Sequence, residues 1–188
     1  MAQEIKNTEI QVGLIGSSNV GKTCIVIRMV DDKFEENVAY TPQLAYHKLK
    51  DQNLNGHMYD ITFIDTAGTE RFRSFNWVGL KNAQLFLYVY DVTNPDSHAD
   101  IATLLQDADN QSIDPSIPKF LIGNKFDEGV CNELKDNNAY EGRFVKSFLF
   151  SAKEGSDREK IIQEILQYAT QSQNTHQTQL TAKKSGCC

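Results

Sequence analysis

The sequence predicts an α/β fold, a mostly parallel sheet flanked by helices, and three observations carry that prediction. Strand-like and helix-like segments alternate from residue 9 to about residue 170. The runs "LFLYVYDV", "KFLIGN" and "SFLFSA" are short and nearly all apolar, as parallel strands buried on both faces must be. One neighbouring pair of strands is joined through "DQNLNG", where Asn55-Gly56 accepts the positive φ angles of a tight antiparallel turn.

Taken in order, "EIQVGLIG" alternates and ends in glycine, which predicts a strand over residues 9–15. A helix follows in "KTCIVIRMVDD", then the polar loop "DKFEENVAYTPQ". The antiparallel strands fall near 44–50 and 57–64. After "TNPDS", Ile101, Leu104, Leu105 and Ala108 recur at helical spacing. Near the end, Ser156 and Glu159 form a capping-box pattern ahead of the stripe Ile161, Ile162, Ile165, Leu166 and Ala169. The organisation read from this is a flexible N-terminus over 1–8, one folded domain over 9–170, and a disordered tail over 171–188 that is polar and without apolar periodicity.

Bulk properties remove several function classes. A chain of 188 residues is long enough to bury a full core as one domain. Its net charge of −6 and lack of a basic stripe argue against nucleic acid as a partner. Cys24, Cys131, Cys187 and Cys188 have neither disulfide nor zinc spacing, which points to a reducing compartment. "MAQEIKNTEI" lacks the apolar core of a signal peptide, and no apolar run approaches a membrane span.

"GSSNVGKT", Gly16 to Thr23, matches GxxxxGK[ST] between the first strand and the first helix. Its glycines let backbone amides wrap phosphate oxygens, and the helix N-terminus adds partial positive charge. Lys22 is placed to neutralise β- and γ-phosphates, and the Thr23 hydroxyl to ligate Mg²⁺. The base is read elsewhere. In "GNKFD", Asp127 follows a buried strand, and its carboxylate can accept two hydrogen bonds from guanine's ring N–H and exocyclic amine. Adenine has no such donor pair on that edge, so a mismatch leaves the charge unsatisfied. Asn124 ties this loop to the phosphate loop, the Lys125 stem covers the base, and the Ala152 amide of "SAK" meets the guanine carbonyl. Each short motif alone is weak; their order, each after a predicted strand, is not. A P-loop kinase or other ATPase would leave "GNKFD" and "SAK" without a purpose.

Across residues 9–170 and the terminal "CC", the motifs "GSSNVGKT", "DTAG", "ERFRS", "YVYDVT", "GNKFD" and "SAK" resemble the small GTPases of the Ras superfamily, within them the Rab family. The resemblance implies a P-loop GTPase fold with about six strands, one antiparallel, and GTP or GDP bound with Mg²⁺. It assigns nucleotide contacts to Ser18, Asn19, Val20, Gly21, Lys22, Thr23, Cys24, Phe34, Thr41, Gly68, Asn124, Lys125, Asp127, Ser151, Ala152 and Lys153. Thr23, Thr41 and Asp65 would serve the metal, Asp65 through a bound water. Lys22, Thr41, Gly68 and Thr69 would serve hydrolysis. Loss of the γ-phosphate would release Thr41 and Gly68, and with them two switch loops.

Departures from the family pattern cluster at these switches. Pro42 and Gln43 stand where isoleucine-glycine is usual, and Asn19 where glycine is common. The three positions that Rab effectors read as aromatic are Tyr46, Ile64 and Gly79; Phe75 and Trp77 stand close enough to rebuild an apolar patch, with core packing the expected fate of at least one of them. Thr69 replaces the water-positioning glutamine, so unassisted hydrolysis is expected to be slow, with a GTP-binding interaction module of negligible turnover as the alternative. The segment Gly129 to Arg143 is short and poor in helix formers. At the tail, Cys187 and Cys188 would each carry a geranylgeranyl group, two lipids giving the stable anchoring that one does not. The implied partners are an exchange factor, a GTPase-activating protein, a GDP-dissociation inhibitor, a prenylation escort protein, switch-reading effectors and a membrane. The implied location is the cytoplasmic face of intracellular membranes, in exchange with cytosol.

Overall fold

A computed structural model describes residues 7–36, 38–39, 41, 44–68, 73–134, 139–140 and 142–184, with the backbone alone for 73–76 and 172–184. Pro42, Gln43, Thr69, Cys187 and Cys188, and the side chain of Phe75, lie outside the described residues. In chain order the elements are β1 (Thr8–Ile15), α1 (Lys22–Asp31), β2 (Leu44–Leu54), β3 (His57–Thr66), α2 (Arg73–Leu80), β4 (Leu85–Asp91), α3 (Pro95–Asn110), β5 (Lys119–Asn124), β6 (Lys146–Leu149) and α4 (Arg158–Lys184).

These strands form one six-stranded sheet in the order β2-β3-β1-β4-β5-β6. Only β2 and β3 pair antiparallel. Their turn has φ of 53° at Asn55 and 84° at Gly56, the primed geometry that the Asn-Gly pair favours. All other pairings are parallel. The sheet therefore has the predicted mixed character, and its loops collect at the carboxyl ends of the parallel strands.

Side chains alternate between two cores. One face of β1, β4 and β5 sends Val12, Leu14, Leu87, Val89, Phe120 and Ile122 into a core covered by α1 and α4. The opposite face sends Phe86, Tyr88 and Leu121 beneath α2 and α3. Every residue of β4 is buried, which is why its sequence shows no polar alternation. Each such apolar side chain contributes about 1.5–3 kcal/mol when buried.

Two elements differ from the sequence reading. The helix α2 was not expected, because "RSFNWVGL" has no caps and too few residues to establish a period. The helix α4 opens at Arg158, one residue after the start a Ser156 cap would set, and its backbone stays helical to Lys184. Neither glycine nor proline interrupts it, so nothing local stops it at the expected boundary of 170. Among the described residues no helix is long and apolar enough to cross a membrane.

The start of α3 is pinned through His98. Its ring lies edge-on to Tyr90, with centroids 4.8 Å apart, and tilted against Tyr140 at 4.9 Å. The Tyr140 hydroxyl donates to the His98 carbonyl at 2.7 Å. Burial holds the His98 imidazole below its ordinary value. The unfolded chain therefore takes up a proton near pH 6.5 that the native state resists, so this contribution is present above that pH and fades as pH falls. A His98→Phe variant should lose less thermal stability than the parent between about pH 7.5 and about pH 5.5. Equal losses, followed by circular dichroism, exclude this histidine as the source.

Candidate functional site

At the carboxyl ends of β1, β3, β5 and β6 the loops enclose a cleft of about 370 Å³. Its lining includes Ser18, Asn19, Gly21, Lys22, Thr23, Cys24, Phe34, Thr41, Gly68, Asn124, Lys125, Asp127, Ala152 and Lys153. Three further expected residues stand close behind. Val20 is buried and its carbonyl accepts from Asn124; Ser151 orients Asp127; Asp65 sits beneath Thr23 and Thr41. Glu36, Val38, Ala39, Thr66 and Glu128 also line the cleft, and sequence reasoning did not single them out.

The phosphate loop joins β1 to α1. Gly21 has φ of 90° and Asn19 φ of 64°, so the loop turns through left-handed conformations that glycine adopts freely and asparagine tolerates. At Gly21 a side chain would also collide with the Asn124 amide. Lys22 is 6% exposed, and its ammonium donates to the carbonyls of Gly16 at 2.8 Å and Ser17 at 2.9 Å. Burial pushes it down to about 8, with Asp65 opposing that shift. A buried cation satisfied only by neutral carbonyls is costly, and an anion at the loop mouth offsets that cost. Gly68 approaches the same point: a Cβ there would lie 2.7 Å from Lys22 Nζ and 2.6 Å from the Ser18 nitrogen.

Three oxygens meet beside Lys22. Thr23 Oγ1 donates to Asp65 Oδ2 at 2.6 Å, Thr41 Oγ1 donates to the same oxygen at 2.9 Å, and the two hydroxyls are 3.0 Å apart. Asp65 is fully buried, and its Oδ1 has no hydrogen-bond partner among the described residues. Hydroxyls and a carboxylate with a spare oxygen suit a hard, oxygen-seeking cation such as Mg²⁺. Among the described residues no three His, Cys, Asp or Glu side chains gather as a metal site.

The far end of the cleft is cross-braced. Asn124 Nδ2 donates to the Val20 carbonyl at 2.9 Å, while the Ala152 amide donates to Asn124 Oδ1 at 3.1 Å. One buried side chain thus ties three loops. That amide, expected to be available for a base carbonyl, is engaged by Asn124 instead. Asp127 Oδ1 accepts from the Ser151 hydroxyl at 2.6 Å, which aims the carboxylate at the cleft mouth. Lys125 Nζ lies 2.6 Å from Asp91 Oδ2. Burial works against the Asp91 carboxylate, yet hydrogen bonds from Lys125 and Thr93 outweigh it and hold it below its ordinary value. Arg28 of α1 donates to the carbonyls of Ala152 and Lys153, each at 2.8 Å. Its partners lie 124 and 125 residues away, so no local pattern announces it.

The side chains near α2 divide between surface and core. Tyr46 is 59% exposed, whereas Ile64 is fully buried. Gly79 leaves room for Leu44, which packs where a larger side chain would stand. Trp77 is buried edge-on to Phe86 and so belongs to the core rather than to a surface patch.

Comparison with known proteins decides the family. A model of the Ras family matches residues 11–171. The chain belongs to the Ras family, on its Rab branch. It is 30% identical to the Ras-related protein RABE1d of Arabidopsis thaliana, over 95% of this chain and 92% of that protein. It is 35% identical to the GTP-binding protein ypt1 of Schizosaccharomyces pombe, over 72% of this chain and 63% of that one. Ras-related protein Rab-10 of Diplobatis ommata is 31% identical over 85% of this chain and 80% of its own length. In this Rab-type GTPase, Asn124→Ala should cost about 1–3 kcal/mol, because the Val20 carbonyl and Ala152 amide lose their partner. Denaturant unfolding measures it, and an unchanged midpoint would contradict the bracing role.

Proposed function

We propose that the chain is a GTP/GDP switch of membrane traffic whose hydrolysis is slow until an activating protein assists. The observation that carries the reading is the meeting of Thr23, Thr41 and Asp65 beside the buried Lys22. It draws the phosphate loop, the loop after α1 and the end of β3 onto one point. When bound there, Mg²⁺ supplies charge neutralisation between the β- and γ-phosphates. Thr23 and Thr41 would hold it directly and Asp65 through a water. Lys22 and the loop amides bind the phosphates, and the Gly68 amide senses the γ-phosphate. Because Thr41 and Gly68 are held by one departing group, its loss frees both loops.

At the base, Asp127 would accept from guanine's two donors, Lys125 would cover its face, and Phe34 at 36% exposure would pack against its edge. In an Asp127→Asn variant the pairing inverts, and preference should move from guanine to xanthine nucleotides. Retained guanine selectivity in a competition assay would contradict this base pocket.

Slow turnover rests on Thr69. Threonine is two bonds shorter than glutamine, so by its chemistry alone it is a poor substitute for a side chain that orients the attacking water. A partner's arginine alone is worth roughly 10³–10⁵ in rate. Thr69→Gln should accelerate single-turnover hydrolysis measured without partners; an unchanged rate removes Thr69 as the cause. Release of no phosphate, even with activating domains, would favour a GTP-binding interaction module instead. The membrane side of the proposal rests on Cys187 and Cys188 as paired lipid sites, with an escort protein for their modification and a GDP-dissociation inhibitor for retrieval. An exchange factor would load the switch. Effectors would read a surface that includes the exposed Tyr46.

A further inference from the structure

We propose that Asp100, on α3, is a positioning residue for the nucleotide phosphates, acting through Ser17. The Ser17 hydroxyl donates to Asp100 Oδ2 at 2.5 Å, across 83 residues of sequence. Ser17 is also the residue whose carbonyl receives the Lys22 ammonium at 2.9 Å. Its carbonyl carbon lies 2.7 Å from where a Cβ on Gly68 would stand. Three elements thus converge on Ser17: the helix α3, the cation of the phosphate loop and the glycine after β3. If Ser17 shifts, the carbonyl that aims Lys22 shifts with it.

The anchor itself is fixed. Ser97 Oγ lies 3.0 Å from the Asp91 nitrogen, which donates to it, and 2.7 Å from the Asn94 carbonyl, to which it donates. His98 is clasped by Tyr90 and Tyr140, and Ile101 is fully buried. Asp91 in turn pairs with Lys125 at the base end. The root of α3 therefore joins the two ends of the cleft, Lys125 through Asp91 and Ser17 through Asp100.

Charge and hydrogen bonding at Asp100 act in opposite senses. A carboxylate near a polyphosphate repels it, so the residue helps binding only through the bond that seats Ser17. That opposition separates the two effects experimentally. Asparagine keeps an acceptor for the hydroxyl and removes the charge; alanine removes both.

The inference rests on the phosphate-loop reading of the preceding subsection. Release of a fluorescent GDP with Mg²⁺ should be about tenfold faster in Asp100→Ala, the scale of one hydrogen bond to a charged group. Asp100→Asn should restore the rate to within about threefold of the parent, an order-of-magnitude allowance for the lost charge assistance. Ser17→Ala should add nothing to Asp100→Ala, as a shared contact requires. The preference for GDP over GMP should fall in Asp100→Ala, whereas a general loosening of the fold would weaken both alike. Parent-like release by Asp100→Ala, or additive effects without rescue by asparagine, overturns the inference alone. A parent protein that takes up no GDP overturns the phosphate-loop reading and this inference with it.

Discussion

The site is organised around a buried ammonium. Lys22 begins α1, lies against the end of a parallel sheet and is almost closed off from water, with two main-chain carbonyls as its acceptors. Such a group is stable as a cation only if charge of opposite sign is close, and Asp65 supplies that from one side. The remaining demand faces the cleft. A polyanion meets it, and the left-handed turns at Asn19 and Gly21 orient the loop around the same place. The rest of the fold keeps this group where it is.

Two kinds of support follow. The base end is rigid: Asn124, Arg28 and Ser151 tie the loops after β1, β5 and β6 to each other and to α1 through buried or half-buried hydrogen bonds. On the phosphate side, Thr41 reaches β3 through Asp65, and Gly68 lies against the phosphate loop. In the proposed switch, a ligand that touches both ends would meet one prepared surface and one that it must itself hold in place. Rigid recognition beside a conditional grip is what a switch requires.

Much of this was legible in the sequence because the informative residues are local. The strand-loop-helix around "GSSNVGKT", the Asn55-Gly56 turn and the wholly apolar β4 each announce their conformation within a few residues. Most of the expected cleft residues were legible because they follow a recognisable strand, whereas Phe34 and Thr41 lie in the loop after α1 and came from resemblance alone. What escaped is long-range or weakly patterned. The helix α2 carries no cap signal, and Arg28 and Asp100 find partners far along the chain. The contact between Asn124 and the Ala152 amide escaped because its partners lie 28 residues apart. Core packing was the expected fate of at least one of Phe75 and Trp77, and Trp77 is buried against Phe86.

The central claim is that this cleft holds a guanine nucleotide with its phosphates on Lys22. Its most direct test is the nucleotide content of the purified full-length chain, extracted and separated by chromatography, followed by titration of the emptied protein with GDP and ADP in magnesium. The account predicts near-stoichiometric guanine nucleotide and strong preference for GDP. Adenine nucleotide in the extract, or equal affinity for the two diphosphates, would contradict it.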